Sequence, residues 1–268
     1  MADAALLDFL SREADAKGLV SLAGCRRAAD RFSLSFPEVE EFLLENGLFP
    51  RRYERQRGLF GAGGQLRLLR ARVAVIGCGG LGGTLFETLV RLGVGRILVV
   101  DPDSFSESNL NRQTLATLEN LGRAKVEAAA ERAARLNPAV RVETAAVAFQ
   151  DPAVESSLNA CSLVFDALDT IAARLELARL CRRLDLFLIH GAVEGWYGQV
   201  ASIPPSREIL EQIYAVAEEG PASMNMAPAV NAIAALQAAR GLRLLLGEDF
   251  ASTGTFLDLG GPELENWE

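Results

Sequence analysis

The sequence predicts an α/β fold, a doubly wound and mostly parallel sheet with a small helical N-terminal extension. Three observations lead there. From Arg72 onward, short β-branched runs alternate with helical stretches, the pattern of strands joined by crossover helices. A glycine-rich turn separates the first such run from the first such helix. Residues 1–50, by contrast, show helical spacing only.

In chain order, Ser35-Phe36-Pro37-Glu38 has the spacing of a capping box. Val39, Phe42 and Leu43 follow at helical intervals, and Asn46-Gly47 stops the helix. Val73–Ile76 reads as a buried strand, followed by a helix to about Leu92 and a strand over Arg96–Val100. A helix over Ala124–Leu136 ends at Asn137-Pro138, because proline disfavours helical geometry in the residue before it. Further strands are expected at Val140–Glu143, Leu163–Phe165, Phe187–Ile189 and Val200–Ile203, with helices between most of them. Met226–Leu246 is apolar but carries Asn231, Gln237, Arg240 and Arg243, so it reads as a buried helix rather than a membrane span. Thr255–Leu259 is expected to add a last strand. The domains expected are 1–50, a helical extension, and 51–268, a ligand-binding domain.

The composition agrees with a folded, soluble chain: of 268 residues, 50% are hydrophobic and 23% charged. A net charge of −8 argues against a broad basic surface for nucleic acid. Asp3 and Asp8 stand where a secretory signal would carry Lys or Arg, so the expected location is the cytoplasm. Cys25, Cys78, Cys161 and Cys181 form no Cys-x-x-Cys pair, which supports neither a disulfide framework nor a zinc site.

Gly77-Cys78-Gly79-Gly80-Leu81-Gly82 matches G-x-G-x-x-G between a predicted strand and a predicted helix, as in a Rossmann-like nucleotide fold. Gly77, Gly79, Gly80 and Gly82 allow a tight turn and close approach of backbone to phosphate at a helix N-terminus. Asp101 ends the next strand, where a carboxylate accepts bonds from ribose hydroxyls. Alone, these features would point to a dinucleotide. The cations Arg112 and Lys125, and Asp169 for a metal, shift the reading toward a triphosphate, whose charge needs fixed cations and an ion. Lys125 begins a helix, where a cation opposes the helix dipole, and that local cost suggests a bound anion.

The run resembles the ThiF/MoeB/HesA family, bacterial relatives of ubiquitin-activating enzymes. The matching pieces are Arg52–Gln56, Gly77–Gly82, Asn109–Gln113, Gly122–Lys125, Asp166–Asp169 with Arg174, and Gly191–Gly195 with Gly198-Gln199-Val200. They fall in order over residues 51 to about 247. The resemblance implies binding of ATP and Mg²⁺ and adenylation of the C-terminal glycine of a small ubiquitin-fold protein ending in Gly-Gly. It implies that Asp101 holds the ribose and that Asn109, Arg112, Gln113 and Lys125 surround the phosphates. Asp169 would handle the Mg²⁺, with Asp103 as a second candidate that turn formation explains equally well. Arg55 would reach across a homodimer to the neighbouring subunit's triphosphate.

The chain also departs from that family. It lacks the paired Cys-x-x-Cys of many relatives, so no zinc is expected, and residues 203–225 contain no cysteine for thioester or persulfide chemistry. Thr170 replaces a common Asn after Asp169. Cys78, Cys161, Cys181 and the sole histidine, His190, read as structural, with His190 ending a strand. Trp196-Tyr197 reads equally as core or as part of a slot for a partner's tail. The expected function is therefore adenylation of a MoaD/ThiS-like sulfur carrier, for molybdopterin, tungstopterin or thiamine biosynthesis. Two alternatives stand beside it. One is activation of a small-molecule or tRNA carboxylate, as in threonylcarbamoyladenosine dehydratase; the other is a non-catalytic scaffold.

Overall fold

The computed structural model describes residues 2–215, 224–248, 254–261 and 263–267. The extension contains α1 (Ala2–Glu13), β1 (Leu19–Val20), α2 (Leu22–Phe32), α3 (Phe36–Glu45) and β2 (Phe49–Pro50). The capping box forms as expected, with Glu38 accepting from the Ser35 N–H at 2.7 Å. The helices close over Leu10, Cys25, Ala28, Val39 and Leu43, all fully buried. Each such leucine or valine is worth about 1.5–3 kcal/mol of burial.

This unit is keyed to the larger one. β1 and β2 pair in parallel, Leu19 opposite Phe49, and a second apolar cluster joins Leu19, Leu44 and Phe49 to Tyr53, Leu69 and Ala139. Beside it, the fully buried Glu40 pairs with Arg52 at 2.5 Å, and Arg52 also donates to Asn137 Oδ1 at 2.7 Å. Burial pushes the Glu40 carboxyl up to about 7 despite the neighbouring Arg52.

After a 3₁₀ turn over Arg51–Gln56 and α4 (Arg57–Arg70), the main sheet begins. Its first half comprises β3 (Arg72–Ile76), α5 (Gly80–Leu92), β4 (Arg96–Val100), α6 (Lys125–Leu136), β5 (Arg141–Ala145), α7 (Pro152–Leu158) and β6 (Leu163–Asp166). The second comprises α8 (Ile171–Arg183), β7 (Phe187–Glu194), β8 (Tyr197–Ile203), α9 (Ile209–Ile213), α10 (Ala227–Leu245), β9 (Gly254–Asp258) and β10 (Glu263–Trp267). The strand order is β10-β9-β8-β7-β6-β3-β4-β5. β7, β6, β3, β4 and β5 are parallel, and β8, β9 and β10 continue antiparallel. Apolar residues of α5, α6 and α10 cover one face, and those of α7, α8 and α9 the other, which is the doubly wound arrangement. Strand order reverses at β3, between β4 and β6, and diverging loops there open a crevice at the strands' C-terminal ends.

Two expectations are corrected. The strand predicted to stop at His190 runs on to Glu194, because β8 folds back on it and pairs from Leu188–Ile203 to Glu194–Tyr197. Gly191 sits inside that strand; an added Cβ there would collide with the Gln237 side chain of α10. The tail forms not one strand but two, with β10 paired antiparallel to β9. No helix among the described residues is long and apolar enough to cross a membrane.

Candidate nucleotide-binding site

A cavity of about 370 Å³ occupies the crevice. Its glycine side is dictated by backbone geometry. Gly77 has φ +92°, and an added Cβ would lie 2.5 Å from the Ala167 carbonyl oxygen, so only glycine fits. Gly79 and Gly80 line the cavity where α5 begins. No side chain caps α5 through Gly79, so its first-turn N–H groups point toward the cavity as an anion cradle. Gly82 has a different job from the one expected. It lies outside the lining, and an added Cβ would run into the Gly77 carbonyl, so this glycine lets α5 pack against the turn.

Asp101 is buried at the end of β4. Its Oδ2 accepts from the Cys78 N–H at 2.6 Å and its Oδ1 from the Asp103 N–H at 2.8 Å. The carboxylate therefore braces the glycine turn while facing the cavity. Lys125, also buried, extends Nζ to Asp103 Oδ2 at 2.8 Å and stands 3.7 Å from Asp101 Oδ1. This corrects the dipole inference: two carboxylates offset the cost of a lysine at the start of α6, so its position does not by itself require an anion. The Asp103 carbonyl also accepts from the Lys125 N–H at 3.0 Å, so Asp103 closes its turn and holds the lysine together.

Arg112 lines the cavity, its Nη1 donating to Ser108 O at 2.9 Å and Asn111 Oδ1 at 3.0 Å. Gln113 lines it too, nearly buried beside Gly79, and its Oε1 has no hydrogen-bond partner among the described residues. An orphaned buried acceptor costs about 1–3 kcal/mol unless something donates to it. That is the mark of a site shaped for a polar ligand. Asp169 is exposed on the opposite lip.

Two expected residues lie elsewhere. Asn109 does not line the cavity; its Oδ1 accepts from the Ser106 N–H at 3.0 Å and caps a 3₁₀ turn. Arg55 is exposed on the turn before α4, outside the cavity of its own chain. Trp196 and Tyr197 are about half exposed, at 45% and 49%, at the β7–β8 turn, and are not core. Tyr197 stacks on Phe256 with ring centroids 5.9 Å apart.

Cys78, Cys161 and Cys181 are buried, as their structural reading expects, and so is Cys25. Burial pushes Cys25 and Cys181 up to about 12 and Cys161 to about 11, with Cys78 higher still. None is a ready thiolate near neutral pH.

Several lining residues carried no sequence signal of their own. Phe149 and Gln150 approach from beyond β5, and Val193 and Asn225 from the far side. Arg174, quoted above only within a matching motif, is a buried cation in the cavity wall. A residue eight positions past the end of β6 enters a site only through the helix that follows, which spacing alone does not reveal.

Comparison with known proteins shows the family and the fold. A model of the "ThiF family" matches residues 53–268. The molybdopterin-synthase adenylyltransferase of Salmonella typhimurium is 35% identical over 207 residues, covering 72% of this chain and 81% of that protein. The SAMP-activating enzyme E1 of Haloferax volcanii is 32% identical over 203 residues, covering 74% and 75%. Among solved structures, Escherichia coli MccB crystallised with succinimide superposes with a TM-score of 0.69 over 91% of this chain and 81% of that one; at 20% identity this shows the fold alone.

Proposed function

The chain belongs to the ThiF family, and from that premise we propose that it is an ATP-dependent adenylyltransferase for a small ubiquitin-fold sulfur carrier ending in Gly-Gly. The carrier would be of the MoaD/ThiS type, serving molybdopterin, tungstopterin or thiamine biosynthesis. The observation that carries the reading is the cavity itself. It combines a helix N-terminus with no side-chain cap, the Asp101 carboxylate, the cations Lys125 and Arg112, and an unpartnered Gln113 oxygen in one lining.

The reaction joins a carrier carboxylate oxygen to the α-phosphorus and breaks the bond to the β-phosphate, releasing pyrophosphate. The nucleophile is already ionised at pH 7, so the chain has to position and neutralise rather than abstract a proton. Gly79 and Gly80 present backbone N–H groups to phosphate oxygens. Lys125 and Arg112 offset the charge that moves onto the leaving group. Asp101 receives the ribose hydroxyls, with Lys125 Nζ standing 3.7 Å from its Oδ1. Gln113 Oε1 accepts from a hydroxyl or amine of the bound pair.

Among the described residues, no three His, Cys, Asp or Glu side chains converge as a protein metal cage would. One carboxylate of the lining, Asp169, would suit a Mg²⁺ that arrives with the triphosphate. Asp169 would hold it, and the ion would supply charge neutralisation on the triphosphate. Arg55, exposed on its own chain, would complete a neighbouring subunit's site in a homodimer. Residues 1–50 would form an extension keyed to the 51–268 domain, with the reaction taking place in the cytoplasm.

The test is pyrophosphate release from ATP and Mg²⁺, with a carrier ending in Gly-Gly and with one lacking the last glycine. Release that needs the intact tail is expected. ATP binding without release for any carrier would move the assignment to a small-molecule or tRNA carboxylate. No ATP binding would leave a scaffold.

A further inference from the structure

Behind the cavity wall, five residues from three stretches of chain close a ring of hydrogen bonds. Arg174, at the start of α8, donates through Nε and Nη2 to Leu168 O, at 3.1 and 2.8 Å. Its Nη1 donates to Tyr214 Oη at 3.2 Å. Tyr214 Oη lies 3.2 Å from His190 Nε2, and His190 Nδ1 lies 2.7 Å from Asp166 Oδ2. Asp166 Oδ1 accepts from the Leu168 N–H at 3.0 Å and closes the ring.

Donor and acceptor roles are decided throughout. A carboxylate only accepts, so His190 carries its proton on Nδ1 and its Nε2 accepts from the Tyr214 O–H. Gln199 Nε2, from β8, donates to Tyr214 Oη at 3.0 Å. From behind, Gln237 Nε2 donates to the Asp166 carbonyl at 2.8 Å, tying in α10. Desolvation outweighs the Asp166 carboxylate and pushes the His190 value down, so the imidazole stays neutral.

Position gives the ring its meaning. His190 and Asp166 are wholly buried, and only Arg174 and the Leu168 loop reach the cavity. Tyr214 follows α9 on the connection between β8 and α10. Asn225, just before α10, bridges to Gly195 and lines the site. One phenol therefore ties a cation in the cavity wall to the turn that follows α9. A ring needed only for core satisfaction has no reason to end on a cavity-facing guanidinium.

Resting on the adenylation reading, we propose that Tyr214 and His190 are positioning residues for the reaction. Through this ring they hold Arg174 in the cavity wall, so that occupancy of the cavity is coupled to the His190 imidazole.

His190 is the sole histidine, so ¹⁵N-histidine labelling gives one imidazole to observe. The expected spectrum is that of a neutral ring protonated on Nδ1, whose Nε2 resonance moves when ATP and Mg²⁺ are added. Tyr214→Phe should abolish that movement. It should lower kcat for pyrophosphate release about tenfold while leaving the ATP Kd within about twofold, the signature of lost positioning rather than lost binding. Arg174→Lys should do the same, and the double variant should be no worse than Arg174→Lys alone, because residues acting as one unit are not additive. ATP binding by calorimetry with an unmoved His190 resonance in the wild-type chain would overturn the proposal, as would multiplying effects in the double variant. Absence of ATP binding would instead overturn the nucleotide reading, and this proposal with it. The wild-type titration needs no substitution to fold.

Discussion

At the β3–β4 end of the cavity the polar groups, Gln150 apart, belong to residues 77–125, supplied by one glycine turn, one strand end and the loop into α6. At the β6–β7 end they come from Asp166, Arg174, His190, Gln199 and Tyr214, on five different pieces of chain. The first set keeps open capacity, in the Gln113 Oε1 and the uncapped start of α5. The second is satisfied internally. An open set holds unspent hydrogen-bonding free energy that a ligand can collect, whereas a closed one rigidifies what it touches. One end is built to bind, the other to hold still.

The comparison breaks most sharply at Lys125. Lys125→Ala removes the one cation that touches both Asp101 and Asp103, and turnover should fall about 10²–10³-fold with the fold retained. Pyrophosphate release beside a thermal melt checks this; unchanged turnover would return the binding end to a structural role. Gly77→Ala should come next. Positive φ and the approach to Ala167 O force the turn to move, and ATP affinity by calorimetry should drop at least about tenfold.

Smaller still is the effect expected at the exposed aromatics near the far end. Trp196→Ala should raise the carrier KM about three- to tenfold and leave ATP affinity unchanged, because Trp196 lies outside the cavity. A change in ATP affinity instead would join the two ends.

The smallest effect is expected away from both, at Glu40. Its folded value, about 7, lies above the ordinary 4.5, so the stability it lends is full below about pH 4.5 and is lost as the pH rises through 7. Glu40→Gln does not titrate, so its melting temperature relative to wild type should rise by a few degrees from pH 5 to pH 8. A flat difference across that range would mean that the Arg52 pairing compensates the buried charge.

Legibility in the sequence followed the same division. Gly77, Gly80, Asp101 and Lys125 could be found because a strand, a turn and a helix start lie within fifty residues, and each demands a particular residue type. The same local reasoning misplaced Gly82 and Asn109, since a glycine needed for packing and an asparagine needed for a cap look like ligand contacts when only the motif is visible. The dipole inference at Lys125 failed because its partner Asp103 sits 22 residues away. His190 was rightly read as satisfied, but nothing in its neighbourhood announces Asp166 or Tyr214.

The amino-acid sequence by itself determined the alternation of strands and helices, the glycine turn and the acceptor at the end of β4. Periodicity, capping and backbone sterics act over a few residues and are written in those residues. Tertiary structure alone decided that β8 folds back on β7, that Arg52 meets Glu40, and that Arg174, Tyr214, His190 and Asp166 share one ring. Each of those is a pairing of buried polar groups or strand edges across long stretches of chain. Many partners would satisfy each group equally well in isolation, and only the packing of the whole sheet and its helices leaves one of them within reach.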